Sequence, residues 1–341
     1  MELVFDIETD DLDATEIHCI VAIDENNKQY TFDIIDDNIL KGLDFLAEAD
    51  KLIGHNIIGF DIPVIKKLHG INLWSKNKII DTLVLSRLFN PVREKGHSLK
   101  VWGSKLGVAK DIPPEDFTVY TKDTLKYCIK DVVLNKALFE YLKKESAGFS
   151  KSSIELEHHV TYILEQQKVN GFKIDIKHTT NLLSELNFKI KEVQDKVHNT
   201  FKPKWVDIKE VKPKLKQNGM LSKSGLTDYE YEDIKLSGNM KPFMRQDLVE
   251  FNLGSRKQIG EYLISFGWKP KKFTPTGQPI VDEGTLKKII HIKEAKLIAD
   301  FLLYQKRIAQ ISSWLDSIKA DDRVHGSVVS TGAITGRMSH R

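Results

Sequence analysis

The chain has 341 residues, with 51 Lys and Arg against 48 Asp and Glu and a net charge of +3, too even a balance to imply a nucleic-acid partner by charge alone. Hydrophobic residues at 41% and aromatics at 9% describe an ordinary packed protein of about two domains, and no apolar run approaches the ~20 residues of a bilayer span. Two cysteines, Cys19 and Cys128, are too few for a disulfide scaffold or a zinc cluster, and Met1 leads straight into a strand without a basic leader, so a soluble cytoplasmic protein with reduced thiols is expected.

Leu3 to Thr9 reads as a strand whose alternation turns Asp6 and Glu8 to one side and Leu3, Phe5 and Ile7 to a core. Residues 17 to 24, 28 to 33 and 51 to 55 read as further strands. Asp37 or Asn38 caps a helix to about Ala49, Pro63 opens a second that Gly70 stops, and Asp81 to Phe89 form a third before Pro91. The clearest helix runs from about Asp123 to Lys144, with Leu125, Cys128, Ile129, Val132, Val133, Leu138 and Leu142 as its apolar stripe. Tyr127 and Asp131, four apart, stack beside that stripe, where they can face a cleft. Strands alternating with helices predict an α/β layer for residues 1 to about 150.

Beyond Ser146 to Ser153 the pattern becomes mainly helical. Residues 154 to 170 form a helix stopped by Gly171, residues 172 to 175 are extended, and residues 177 to 201 form a long helix. Residues 256 to 266 and 284 to 319 resume the helices, the last with a break near Ile292, so two long helices flank an insertion and predict an antiparallel arm. That insertion carries Lys202, Lys204, Lys209, Lys212, Lys214, Lys216 and Lys223, then turns acidic at Asp228, Glu230, Glu232 and Asp233. It reads either as a solvated loop or as a surface for phosphates or a partner protein.

Each acidic motif is common alone; their conjunction is not. Asp6 with Glu8 on the first strand, Asp61 behind a His55-Asn56 turn, and Tyr127 with Asp131 on a late helix follow in order. Carboxylates brought to one cleft repel each other unless cations lie between them. An all-oxygen site with an open side suits magnesium and phosphoryl chemistry.

This order resembles the proofreading 3′-to-5′ exonucleases of the DEDD superfamily, in the subclass with a tyrosine before the last aspartate. The resemblance implies a ribonuclease H-like fold with a mixed sheet, and two Mg2+ ions, replaceable by Mn2+, ~3.5 to 4 Å apart on Asp6, Glu8, Asp61 and Asp131. Tyr127 would orient the attacking water, since a phenol with a pKa near ~10 is a poor general base. Asn56 is implied as a DNA contact, and His55 precedes Asp61 as such residues do in the family; by itself His55 reads as a buried turn histidine.

The likeness continues past the exonuclease. Asp81 to Leu88, the Val169-Asn170-Gly171-Phe172 turn, Phe251-Asn252, Gln305 to Ile308, His325 to Val328 and Thr335-Gly336-Arg337 resemble family A DNA polymerases, most closely the replicases of short-tailed bacteriophages. The resemblance implies an exonuclease domain at 1–150, a thumb-like helical region at 151–320 with the charged insert at about 202–250, and the start of a palm at 321–341. It implies DNA contacts, to a single-stranded 3′ end and to primer-template, from Lys306, Arg307, Thr335 and Arg337. The family's polymerase-metal aspartates and nucleotide-binding helix lie further along than Arg341. A split or truncated polymerase is therefore expected, with a second polypeptide supplying the rest of the palm and the fingers. The insert stands where such replicases dock a processivity factor, thioredoxin in some, and a phage origin would place the protein in the host cytoplasm.

Two further readings remain open from the sequence: a free-standing RNA-processing nuclease of the same superfamily, and a non-catalytic subunit that grips DNA and a partner chain.

Overall fold

The computed structural model describes residues 1–75, 78–108, 113–286, 288–289 and 291–340. Internal contacts divide the chain into two units, one of residues 1–173 with those from 319 onward, the other of residues 174–318.

The first unit opens with β1 (Glu2–Thr9), β2 (Ile17–Asp24), β3 (Gln29–Asp33), α1 (Ile39–Glu48), β4 (Lys51–Gly54), α2 (Asp61–His69), β5 (Ile79–Asp81) and α3 (Thr82–Phe89). It continues through α4 (Leu99–Leu106), α5 (Lys122–Glu145), α6 (Lys151–Asn170) and β6 (Phe172–Lys173). Five strands form one mixed sheet in the order β3-β2-β1-β4-β5. β2 runs antiparallel to both β1 and β3, while β4 is parallel to β1 and to β5.

Alternation along β1 divides its side chains between two cores. Leu3, Phe5 and Ile7 pack with Leu43 and Leu46 of α1 and Ile62 and Ile65 of α2. Val4 faces the other way, with Cys19 and Val21 of β2, Trp102 of α4 and Cys128, Val132 and Leu138 of α5. The four strands expected at the start of the chain lie within one residue of their expected bounds, though β2 is buried along its whole length and shows no alternation. Two short elements carried too little periodicity to be read: the three-residue β5, and α4, which Ser98 caps and Gly107 ends at φ 68°. The stripe of α5 is also rotated from the expected one, because Val133 is 41% exposed while Leu134 and Asn135 are buried.

The second unit comprises α7 (Ile176–Thr200), β7 (Lys204–Val211), α8 (Asp228–Ser237), β8 (Phe243–Val249), α9 (Arg256–Ser265), α10 (Glu283–Leu286) and α11 (Lys293–Asp316). α7 packs along α11. Val193, Val197, Phe201, Ile259, Leu263, Ile298 and Phe301 form their shared core, in which Phe201 stacks on Phe251 at 4.6 Å between ring centroids. The helical stretch expected over 284–319 with a break near Ile292 is α10 and α11, the second capped at Ile292 and ending at Asp316, and residues 287 and 290 lie outside the described residues.

The charged insert is not a loop. β7 and β8 pair antiparallel from Lys204 with Val249 to Val211 with Phe243, and α8 lies between them in sequence. α8 is held by a reciprocal Thr227–Glu230 cap and ended by Gly238 at φ 66°. The strand was hidden because seven of the eight β7 residues are exposed, so no buried face imposes a period of two.

The chain then returns to the first unit with β9 (Arg323–Val324), β10 (Val328–Val329) and β11 (Ser339–His340). β9 pairs with β6, and β10 with β11. Among the described residues no helix is long and apolar enough to cross a membrane.

Candidate active site

The site forms where the central strand outruns its parallel neighbour. β4 pairs with β1 only at Glu2, Leu3 and Val4, after which the chain leaves the sheet for the turn that leads into α2. Ile7 on β1 instead donates its amide hydrogen to Asp61 Oδ1 at 3.3 Å, so the first residue of α2 is fastened to β1 between Asp6 and Glu8. Those two acids share the α5 side of the strand, and Glu8 lies in register with Cys19.

α5 crosses the same side of the sheet. Thr121 caps it, taking the Thr124 amide hydrogen while Thr124 Oγ1 takes that of Thr121. Tyr127 and Asp131, one turn apart, line one cleft of about 540 Å³ together with Asp6, Glu8 and the Thr9–Leu12 segment. Phe60 and residues Glu115, Asp116, Phe117 and Thr118 complete that lining. The ring of Phe117 meets that of Tyr127 edge-on, with centroids 6.0 Å apart. Asp131 is buried, at 4% exposure.

Ligand atoms of Asp6, Glu8 and Cys128 all lie within 4.8 Å of one another. Burial pushes the Cys128 thiol well above its ordinary range, with its hydrogen bond to Cys19 adding to the shift, and its Sγ donates to the backbone oxygen of Asp6 at 3.6 Å. That hydrogen bond engages the thiol, and the harder donors beside it for a cation are the carboxylate oxygens of Asp6 and Glu8. The paired carboxylates of Asp6 and Glu8 on one strand face suit a hard divalent ion such as Mg2+, and Asp131 lines the same cleft.

Asp61 is placed differently from the other acids. It is buried at 2% exposure and is not among the residues that line the cleft. Burial pushes its carboxyl up to about 7, and the buried Asp81 contributes to the shift. Asp81 caps α3 and accepts four backbone hydrogens, from Asn56 at 2.9 Å, Ile58 at 3.1 Å, Leu83 at 2.9 Å and Val84 at 3.4 Å. It therefore shapes the turn that delivers Asp61. In that turn Asn56 is exposed and adopts φ 67°, and its Oδ1 would lie 2.7 Å from a Cβ at position 59, where the sequence has Gly59.

The expected DNA contacts are spread over both units. Asn56, Thr335 and Arg337 belong to the first, the last two exposed in the turn between β10 and β11, where Ala333 donates to the Arg337 carbonyl at 3.0 Å. Lys306 and Arg307 belong to the second, on α11. Lys306 lines a groove with Arg256, and Arg307 donates to Gln310 at 3.2 Å. Sequence reading passed over Leu12, Phe60, Phe117, Glu115 and Asp116 as cleft residues. The last three sit in an irregular stretch before α5 that carries no periodic signal.

No protein-family model matches the chain. The chain is 27% identical over 434 aligned positions to the DNA-directed DNA polymerase of Escherichia phage T7, an alignment covering 99% of this chain and 61% of the phage protein. The corresponding enzyme of Enterobacteria phage T3 is 27% identical over 441 positions, with the same shares covered. The chain thus spans about three-fifths of the length of these relatives, and the aligned positions outnumber its own 341 residues, so the phage proteins carry segments that it lacks. Among solved structures, the polymerase domain of Pol1 from M. smegmatis, in complex with DNA primer-template and dNTP, superposes with a TM-score of 0.66. That match has 15% identity and covers 99% of this chain and 50% of the other, which makes it a likeness of fold. Along nearly its whole length, the chain is homologous to the DNA-directed DNA polymerases of phages T7 and T3, in keeping with the resemblance of its motifs to family A.

Proposed function

We propose that the first unit carries a metal-dependent 3′-to-5′ exonuclease acting on DNA, the proofreading part of a phage-type replicative polymerase. One observation carries the reading: Asp6 and Glu8 on the central strand and Tyr127 and Asp131 on α5 line the same cleft. The mixed sheet with β1 at its centre and β2 antiparallel to it supports a ribonuclease H-like assignment.

In this reading Asp6, Glu8 and Asp131 hold Mg2+ on the open side, and Asp61, fastened beside β1 through the Ile7 amide, completes the acidic set. Two such ions would supply a polarised phosphodiester and an acidified water. Tyr127 orients that water through its hydroxyl, and Phe117 at its ring edge limits how the phenol can turn. Leu12, Phe60 and Phe117 give the lining an apolar part on which an unstacked terminal base can rest, while Asp10, Asp11, Glu115 and Asp116 surround the mouth with negative charge. That charge repels the paired backbone of a duplex and favours a frayed 3′ end.

Within this proposal residues 1–150 form the exonuclease domain, 151–320 the thumb-like region, and 321–341 the edge of a palm. Lys306, Arg307, Thr335 and Arg337 would contact primer-template. The β7–β8 hairpin, with Trp205, Met244 and Leu248 exposed, would be the place for a processivity partner.

The test uses a 5′-labelled single-stranded oligonucleotide and a matched duplex. Release of 3′ mononucleotides that requires Mg2+ or Mn2+, is faster on the single strand, and disappears in the Asp6→Ala/Glu8→Ala double variant is the expected result. Undiminished activity in the double variant would place the reaction elsewhere and overturn the proposal.

A further inference from the structure

A buried hydrogen-bond chain ties α5 to the turn that carries Asp61, and we propose that Thr82 at its centre is a positioning residue that sets the spacing of the acids on the two elements. The inference rests on reading the Asp6–Asp131 cleft as the metal site of an exonuclease. Thr82 is the first residue of α3, fully buried beside Asp81. Its hydroxyl lies 2.7 Å from Asn135 Oδ1, 2.9 Å from His55 Nδ1 and 3.2 Å from the Gly54 carbonyl.

A hydroxyl has one hydrogen, and two of these three neighbours, the Asn135 oxygen and the Gly54 carbonyl, can only accept. The proton balance closes in one way. His55 donates from Nδ1 to Thr82 Oγ1, and Thr82 donates to Asn135 with its closer contact, leaving the longer Gly54 contact as a shared one.

The two ends of this chain are the two halves of the site. Asn135 is one helical turn past Asp131 and two past Tyr127, so the three share one side of α5. His55 precedes the Asn56–Ile58 turn that Asp81 clamps by its backbone, and that turn runs directly into Asp61. Asn135 is 2% exposed and Thr82 0%, so no water replaces a lost partner cheaply. α5 meets the sheet through apolar side chains and two directed contacts, Cys128 Sγ to the Asp6 carbonyl at 3.6 Å and Lys136 Nζ to the Asp24 carbonyl at 2.5 Å, which tie it to β1 and β2. The directed bond at Asn135 ties it in addition to the element beside the turn before Asp61, and so sets the distance from Asp131 to Asp61.

Thr82→Val keeps the volume of the side chain and removes the hydroxyl; Thr82→Ser keeps the hydroxyl. Mn2+ binding to the full chain is followed by the loss of its free paramagnetic signal, alongside kcat and KM on a single-stranded oligonucleotide. Thr82→Val should weaken Mn2+ binding and lower kcat by about 10- to 100-fold with KM unchanged, while Thr82→Ser stays within about threefold of the parent on both. If Thr82→Val does not fold, Asn135→Leu breaks the same chain from the α5 side and carries the same expectation. A parent protein that binds Mn2+ through Asp6 and Glu8 and degrades DNA, with the Val or Leu variant matching it in Mn2+ affinity, overturns the positioning role alone. A parent that does neither overturns the site and this role together.

Discussion

The Asp61 carboxylate accepts the amide hydrogen of Ile7 at 3.3 Å, so a buried acid at the start of α2 is bonded to the backbone between the two acids of β1. Without a cation nearby, that arrangement holds an ionisable group in a setting that disfavours its charge, as the rise of its carboxyl to about 7 reflects.

Asp61→Asn separates the two consequences. The amide oxygen still accepts from Ile7, while the buried charge is gone. At neutral pH the metal-free variant should melt higher than the parent, by about 2–4 °C for each kcal/mol of relieved desolvation, and should lose Mg2+-dependent nuclease activity. Calorimetry in chelator paired with the oligonucleotide assay checks both signs, and a variant that melts lower and retains activity would refute the assignment.

Tyr127→Phe removes the hydroxyl and leaves the ring against Phe117. If the phenol orients water and does not take its proton, the loss should stay well below the ~10²–10⁴-fold of a missing general base, with the pH–rate profile of the parent retained. Steady-state rates across pH on one oligonucleotide decide it.

Gly171 ends α6 with φ 62° and ψ −177°, a backbone region reserved almost wholly for glycine. A Cβ there would lie 2.8 Å from the His325 ring and 3.0 Å from the Val324 carbonyl. Gly171→Ala should therefore cost about 1–3 kcal/mol in urea unfolding, and should loosen the pairing of Phe172 with Val324. Hydrogen exchange at residues 172–173 and 323–324 locates the damage.

Arg245 on β8 holds Glu230 of α8, with Nε 2.8 Å from Oε1 and Nη2 on the other oxygen, and Glu230 also caps Thr227. The bond to Arg245 lowers the Glu230 carboxyl to about 2. A carboxylate depressed on folding stabilises the folded state above its unfolded pKa, here 4.5, and that contribution is lost as pH falls from there towards 2. Exchange protection across Asp228–Ser237 should be greater in the parent than in Arg245→Met at about pH 6, and the difference should vanish near pH 2. A difference that does not change with pH would rule the ion pair out as the cause.

For the lysines of the insert, the structure divides the set. Lys212 is paired with Glu210 at 2.7 Å and Lys223 with Asp228 at 2.6 Å, so Lys209, Lys214 and Lys216 are the better candidates for phosphate contact. Replacing those three by Gln should reduce the slope of log affinity against log salt by up to about 0.7 for each contact on single-stranded DNA. An unchanged slope would assign the segment to solvent or to a protein partner.

The legible parts of this protein were those whose signal is local. Alternation along residues 3–9 placed Asp6 and Glu8 on one side of a strand, and four-residue spacing placed Tyr127 and Asp131 on one side of a helix, because both periods follow from backbone geometry alone. The β7–β8 hairpin was not legible, since its pairing joins residues some forty apart and buries almost none of its own side chains. Asp81 was read as the start of a helix; that it also clamps the turn before Asp61 follows only when β4 and β5 lie side by side. The aromatic and acidic cleft residues from Glu115 to Thr118 sit in an aperiodic stretch. They become part of the site because α5 carries the segment before it across the open end of β1. Local sequence determined which side chains point together along each element. Which elements meet, and therefore which carboxylates share a cleft and which one lies buried, was decided by the packing of the sheet between its two cores.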